Sequence, residues 1–208
     1  MPIQQIVAII DRSGSMYGKE EDTIGGINTT IQELKKSENV DEIYFSLKFF
    51  NETEEMKIRS KKISEIRPLK PSELHPSGST ALLDALGNTI TYFVEKKLRN
   101  QDSFDQCLIY VATDGLENTS KIFTKDTLKQ TIENAENSYN IKIMYLGANQ
   151  DAIFEASQIG IPLERAINYN ENTESSQNVY RAVAASVQRS LTGEKAEFSN
   201  VERAESTM

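Results

Sequence analysis

The sequence predicts an α/β sandwich: a Rossmann-like, doubly wound, mostly parallel six-stranded sheet with one antiparallel edge strand and helices on both faces. Three observations predict it. Short β-branched runs alternate with segments of helical period along the chain. Two of those runs, IQQIVAII and CLIYVAT, are largely apolar, as strands covered on both faces are. The length of 208 residues, 38% of them apolar and 26% charged, suits one sizeable domain with a packed core.

Each element follows from its own pattern. IQQIVAII reads as a central parallel strand. TIGGINTTIQELKK sets Ile24, Ile27, Ile31 and Leu34 at helical spacing and ends in lysines, which suit the negative end of a helix dipole. EIYFSLKFF alternates Ile43, Phe45, Leu47 and Phe49, turns at NETE and returns as EMKIRS. There Met56 and Ile58 alternate with charges, as in a hairpin-linked edge strand. A loop rich in proline and serine, RPLKPSELHPSGS, leads into a helix with Leu82, Leu86, Ile90 and Phe93 on one stripe. CLIYVAT is the second buried strand, and KDTLKQTIENAEN is an amphipathic helix through Leu128, Ile132 and Ala135. IKIMYLG is a strand, DAIFEASQIGIP a short helix stopped by Gly160 and Pro162, and RAINY a last short strand. The final helix carries Val179, Val183, Val187 and Leu191 on one face. Residues 1–192 are expected to form one domain, and residues 193–208 a polar, frayed tail.

Composition narrows the function. A net charge of −8 argues against a nucleic-acid or anionic-membrane surface, since both want a basic patch. No run approaches the ~20 apolar residues of a membrane span. The N-terminal segment lacks a basic stretch and a small-residue cleavage site, so a soluble, cytoplasmic protein is expected. The one cysteine, Cys107, lies in an apolar strand and reads as a small buried hydrophobe. The one histidine, His75, lies in a loop and reads as solvated; with one distant cysteine it makes no zinc cluster. Neither common glycine-rich nucleotide loop is present.

The two most apolar strands, ending at Ile10 and Thr113, are expected to be central neighbours. The strand order then reverses between them, and ligands of such sheets bind outside the carboxyl ends at that reversal. The loops beginning at Asp11 and Asp114 are therefore the candidate site. In VAIIDRSGSM, Asp11, Ser13 and Ser15 alternate, so their oxygens can share one side. One carboxylate and two hydroxyls are hard oxygens of the kind Mg²⁺ takes. Taken alone, each piece has a plainer explanation: a turn with a capping serine, an N-cap at Thr80, an Asp-Gly turn at Asp114. Their convergence on one sheet edge favours a divalent cation: Mg²⁺, with Mn²⁺ or Ca²⁺ as alternatives.

Asp11-x-Ser13-x-Ser15, then Thr80, then Asp114 in TDG resembles the metal-ion-dependent adhesion site of von Willebrand factor type A domains. By element order the resemblance covers roughly residues 3 to 191. It is similar in particular to stand-alone bacterial or phage members, including those near tellurium-resistance systems. The resemblance implies that Ser13, Ser15 and Thr80 touch the metal through hydroxyls. Asp11 and Asp114 would act mainly through waters or hydrogen bonds. A protein partner's Glu or Asp would fill the remaining position, so no catalysis is expected. It also implies a final helix, about Glu174 to Leu191, that can slide and alter the site. One of Glu194, Glu197, Glu202 and Glu205 in the tail could serve as a ligand for a neighbouring copy's metal, which would make self-association metal-dependent, although a charged tail is usually just solvated.

The enzymatic alternative is a Mg²⁺-dependent phosphatase of haloacid-dehalogenase type. Asp11 would be its nucleophile, Ser79 or Thr80 its phosphate ligand and Asp114 its metal ligand. That chemistry needs an acid two residues beyond the nucleophile, where this chain has Ser13.

Overall fold

In a computed structural model, which describes residues 2–148 and 152–208, the strands are β1 (Gln4–Asp11), β2 (Ile43–Phe50), β3 (Glu54–Lys62), β4 (Gln106–Thr113), β5 (Ile141–Ala148) and β6 (Ala166–Tyr169). They form one sheet in the order β3-β2-β1-β4-β5-β6. Every pairing is parallel except that of β2 with β3, which is antiparallel. The expected neighbours β1 and β4 are paired, Ile10 opposite Ala112, and the order reverses there.

β1 explains why both faces of the sheet must be apolar. Ile6, Ala8 and Ile10 enter one core, while Val7 and Ile9 enter the other. The first core lies under α1 (Glu20–Leu34) and α5 (Thr173–Leu191). The second lies under α2 (Leu82–Arg99), α3 (Lys125–Tyr139) and α4 (Ala152–Gln158). The apolar stripes read from the sequence are the buried faces: Ile24, Ile27, Ile31 and Leu34 on α1, and Leu82, Leu86, Ile90 and Phe93 on α2. Asp151, with which the α4 segment was expected to open, lies outside the described residues. Cys107 is buried and His75 exposed, as expected.

α1 and α5 pack closely because α1 carries Gly26 where they cross. A β-carbon there would lie 2.0 Å from the Tyr180 ring. The Thr30 hydroxyl seals the contact by donating to the Tyr180 carbonyl at 3.0 Å. Among the described residues, no helix is long and apolar enough to cross a membrane.

The tail does not fray as expected. Ala196 and Phe198 are buried in the first core, and Asn200–Glu205 forms a short helix, α6. Ser199 caps that helix, accepting from the Glu202 N–H at 3.2 Å. Arg189 of α5 reaches over to Glu202 at 2.9 Å and to the Glu197 carbonyl at 2.7 Å. The sequence suggested fraying because a few scattered apolar residues punctuate a polar run, and two of them, Ala196 and Phe198, are anchors. Phe198→Ala is expected to lower unfolding stability by about 3 kcal/mol in urea denaturation. An unchanged midpoint would mean that the tail is not seated.

Candidate functional site

The carboxyl end of β1 is fixed by its neighbours on both sides. The Arg12 N–H donates to the Phe50 carbonyl at 2.7 Å, prolonging the β1–β2 ladder by one residue. Asp11 is fully buried, and both of its oxygens are engaged. Oδ1 accepts from the Ser13 N–H at 2.7 Å and Oδ2 from the Thr113 hydroxyl at 2.6 Å. Asp11 is thus the bolt between the ends of β1 and β4. Burial pushes its carboxyl above the ordinary aspartate value, against the opposing pull of the Thr113 and Ser13 hydrogen bonds.

Beyond Asp11 the chain makes a single 3-10 turn over Gly14–Met16. Ser13 Oγ lies 3.0 Å from Ser15 Oγ, and Ser15 Oγ donates to Asp114 Oδ1 at 2.7 Å. This turn is zipped to the loop before α2 by two backbone bonds, Gly14 N–H to Gly78 O at 3.0 Å and Ser77 N–H to Arg12 O at 2.8 Å. The second loop is anchored in turn on the β2–β3 hairpin. Asn51 donates to the Ser77 carbonyl at 2.8 Å, and Glu52 accepts from the Ser79 N–H at 2.8 Å. Gly78 sits at φ +72°, where a side chain is strained, and a β-carbon there would displace the Glu52 carboxylate from the Ser79 N–H.

Thr80 is not the helix cap. Ala81 holds that position, and the cap comes from the segment after β4. Glu117 accepts from the Leu83 N–H at 3.0 Å and Ser120 from the Asp84 N–H at 3.1 Å. Asn118 grips Thr80 by its backbone, accepting the Thr80 N–H at 3.0 Å and donating its own N–H to the Thr80 carbonyl at 3.1 Å. The Thr80 hydroxyl is therefore left for another use.

All five residues singled out by the sequence meet. Hydrogen bonds to Ser15 bring in Ser13 and Asp114, and the gap beside Gly115 brings Thr80 and Asp11 to the same Ser15 hydroxyl. A β-carbon on Gly115 would lie 3.2 Å from Thr80 Oγ1, 3.5 Å from Ser15 Oγ and 3.8 Å from Asp11 Oδ2. The β1 turn and the loop before α2 thus deliver oxygens to one point beside the third segment, a point that a methyl group on Gly115 would fill. Among the described residues, no group of three or more His, Cys, Asp and Glu side chains assembles for a metal. The donor set here is two carboxylates and three hydroxyls, all hard oxygens, which fits Mg²⁺ or Mn²⁺ and disfavours soft cations.

The sequence reading missed Lys19. Its ammonium donates to Asp114 Oδ2 and to Glu171, the residue two before α5. The Asp114 side chain is only 1% exposed, so a cation already neutralises it. Burial works against the Lys19 charge, but the bonds to Asp114 and Glu171 prevail and hold its pKa above the ordinary lysine value. Thr113 and Asn118 were missed as well. Only their neighbours in ATDGLEN gave a signal, because a side chain that positions another leaves no spacing of its own.

No family model matches the chain. A protein of Methanocaldococcus jannaschii is 27% identical over 139 residues, 67% of this chain, and the chain spans 29% of that relative's length. Among solved structures, a von Willebrand factor type A protein from Catenulispora acidiphila superposes with a TM-score of 0.62 at 18% identity, covering 90% of this chain and 43% of that one. The fold is that of a von Willebrand factor type A domain. The same type A fold relates the chain to proximal thread matrix protein 1 of the mussel byssus, whose metal-ion-dependent adhesion site was captured with zinc. The TM-score is 0.60 at 14% identity, covering 90% of this chain and 46% of that one.

A buried acid whose pKa is raised titrates with a definite sign. The folded protein binds the Asp11 proton more tightly than the unfolded chain does. Its contribution to stability is therefore present below the ordinary aspartate pKa and lost as pH rises through the raised folded value. Asp11→Asn removes that loss while keeping an acceptor for the Ser13 N–H. In chelator at pH 7 the variant is expected to melt at or above the wild-type temperature, with no further rise on adding Mn²⁺. A lower melting temperature in chelator would show that the Asp11 charge itself holds the two strand ends together.

Proposed function

We propose that the chain is a divalent-cation-dependent protein-binding module that captures a partner's Asp or Glu carboxylate at the Asp11–Ser13–Ser15–Thr80–Asp114 site. The observation that carries this reading is the meeting of Thr80, Ser15 and Asp11 oxygens around the Gly115 gap. Ser13, Ser15 and Thr80 would hold the ion, with Mg²⁺ as the expected occupant and Mn²⁺ or Ca²⁺ as substitutes. A bound divalent ion would supply an electrophile that a carboxylate can complete.

The protein's own residues set that electrophilicity. Hydroxyls are neutral ligands and leave the charge of a cation unquenched. Asp11 is occupied by Ser13 and Thr113, and Asp114 by Ser15 and Lys19, so both acids support the hydroxyls from behind. The mussel matrix protein with a zinc-occupied site supports divalent binding by this fold. The stand-alone bacterial or phage type, a cytoplasmic location and a partner carboxylate are parts of the same proposal.

Binding is favoured over phosphoryl transfer for a structural reason. A nucleophilic Asp11 would need an oxygen exposed to substrate, yet its side chain is buried with both oxygens bonded. The place of the required acid is taken by Ser13, which pairs with Ser15.

Mn²⁺ titration by calorimetry tests the site. Saturable binding is expected, with Ser15→Ala and Thr80→Ala each weakening it at least about tenfold. Retention of full affinity in both variants would refute it. Capture from the native host, in Mg²⁺ against chelator and with Thr80→Ala as the control bait, tests the partner. A partner held equally in chelator would contradict cation-mediated capture.

A further inference from the structure

We propose that Lys19 is a built-in monovalent competitor for the divalent site, held ready on Asp114 and taken over by Glu171 when the divalent ion binds. The inference rests on the metal reading above and adds a residue that tunes the affinity of that site.

Lys19 occupies a junction. It lies one residue before α1, and its carbonyl accepts the Thr23 N–H at 2.9 Å, which fixes its backbone. Its ammonium bridges two carboxylates on different elements: Asp114, just after β4, and Glu171 in the turn between β6 and α5. The two acceptors differ. Asp114 is almost wholly buried, whereas the Glu171 side chain is 30% exposed. A cavity of about 150 Å³ adjoins the bridge, lined in part by Met16, Asp22, Tyr169 and Asn172, so the lysine head has room to move without repacking the core.

The electrostatics follow from proximity. Asp114 is one of two acids behind the hydroxyl set, and Lys19 cancels its charge. A divalent ion arriving at Ser15 meets the ammonium that is paired with the same Asp114 carboxylate. Either the ion pays that repulsion or the ammonium shifts its weight to Glu171. Glu171 is a second home that keeps the lysine paired after Asp114 turns to the ion. The site would thus be tuned to hold its ion loosely, and Lys19 and Glu171 would set its affinity in opposite directions.

The experiment is Mn²⁺ calorimetry on the full chain as wild type, Lys19→Gln, Glu171→Gln and the double variant, with melting temperatures in chelator and in saturating Mn²⁺. Lys19→Gln is expected to bind Mn²⁺ about tenfold more tightly. It should melt below wild type in chelator, where Asp114 loses its partner, and match wild type in saturating Mn²⁺. Glu171→Gln is expected to bind several-fold more weakly, since Lys19 then rests on Asp114. That loss should shrink to less than about twofold in the Lys19→Gln background, because Glu171 acts through the lysine. Glu171 is partly exposed, so its variant keeps the test open if Lys19→Gln does not fold. Equal or weaker binding by Lys19→Gln, or the same Glu171→Gln loss in both backgrounds, overturns the inference while leaving the metal reading intact. Absence of Mn²⁺ binding in all four proteins removes both.

Discussion

The Asp11 carboxylate is the constraint on which the rest depends. It is buried at the end of the central strand and is held by one N–H from its own turn and one hydroxyl from β4. An uncharged residue would be easier to bury there, since desolvating a carboxylate costs more than two hydrogen bonds comfortably return. A buried acid with a raised pKa in a crevice marks a functional-site candidate, and the proposed cation at the hydroxyl set would offset its cost. The parallel pairing of β1 with β4 makes the geometry possible. It ends two strands at the same level and leaves a crevice where the order of strands reverses.

Around that bolt the loops are tied to one another rather than to the sheet alone. The β1 turn is zipped to the segment before α2, that segment is pinned by Asn51 and Glu52, and the segment after β4 caps α2 through Glu117. Rigid loops matter for a small hard cation, which demands ligands near fixed distances and tolerates little slack. The same ties keep the Thr80 and Ser15 hydroxyls aimed at a shared gap.

Much of this was legible in the sequence because it is written in periodicity. Two apolar strands predicted the central pair, helical stripes predicted which faces are buried, Asp11 and Asp114 followed from where strands must end, and the set with Ser13, Ser15 and Thr80 followed from the resemblance to the adhesion site. What stayed hidden is of another kind. Lys19 sits among Gly18, Glu20 and Glu21 and looks like any solvated charge until β6 and α5 bring Glu171 beside it. The tail read as frayed because two buried apolar residues, Ala196 and Phe198, do not make a pattern. The residue that caps α2, Glu117, was not visible because it lies 34 residues away from Leu83 in the chain. Local spacing shows faces and ends; long-range partners need the fold.

Anomalous diffraction from crystals of the protein grown with Mn²⁺ tests the central claim most directly. The expected result is one strong peak among the Ser13, Ser15 and Thr80 hydroxyls, beside the Gly115 gap. No peak there, or one held elsewhere on the surface, would contradict it.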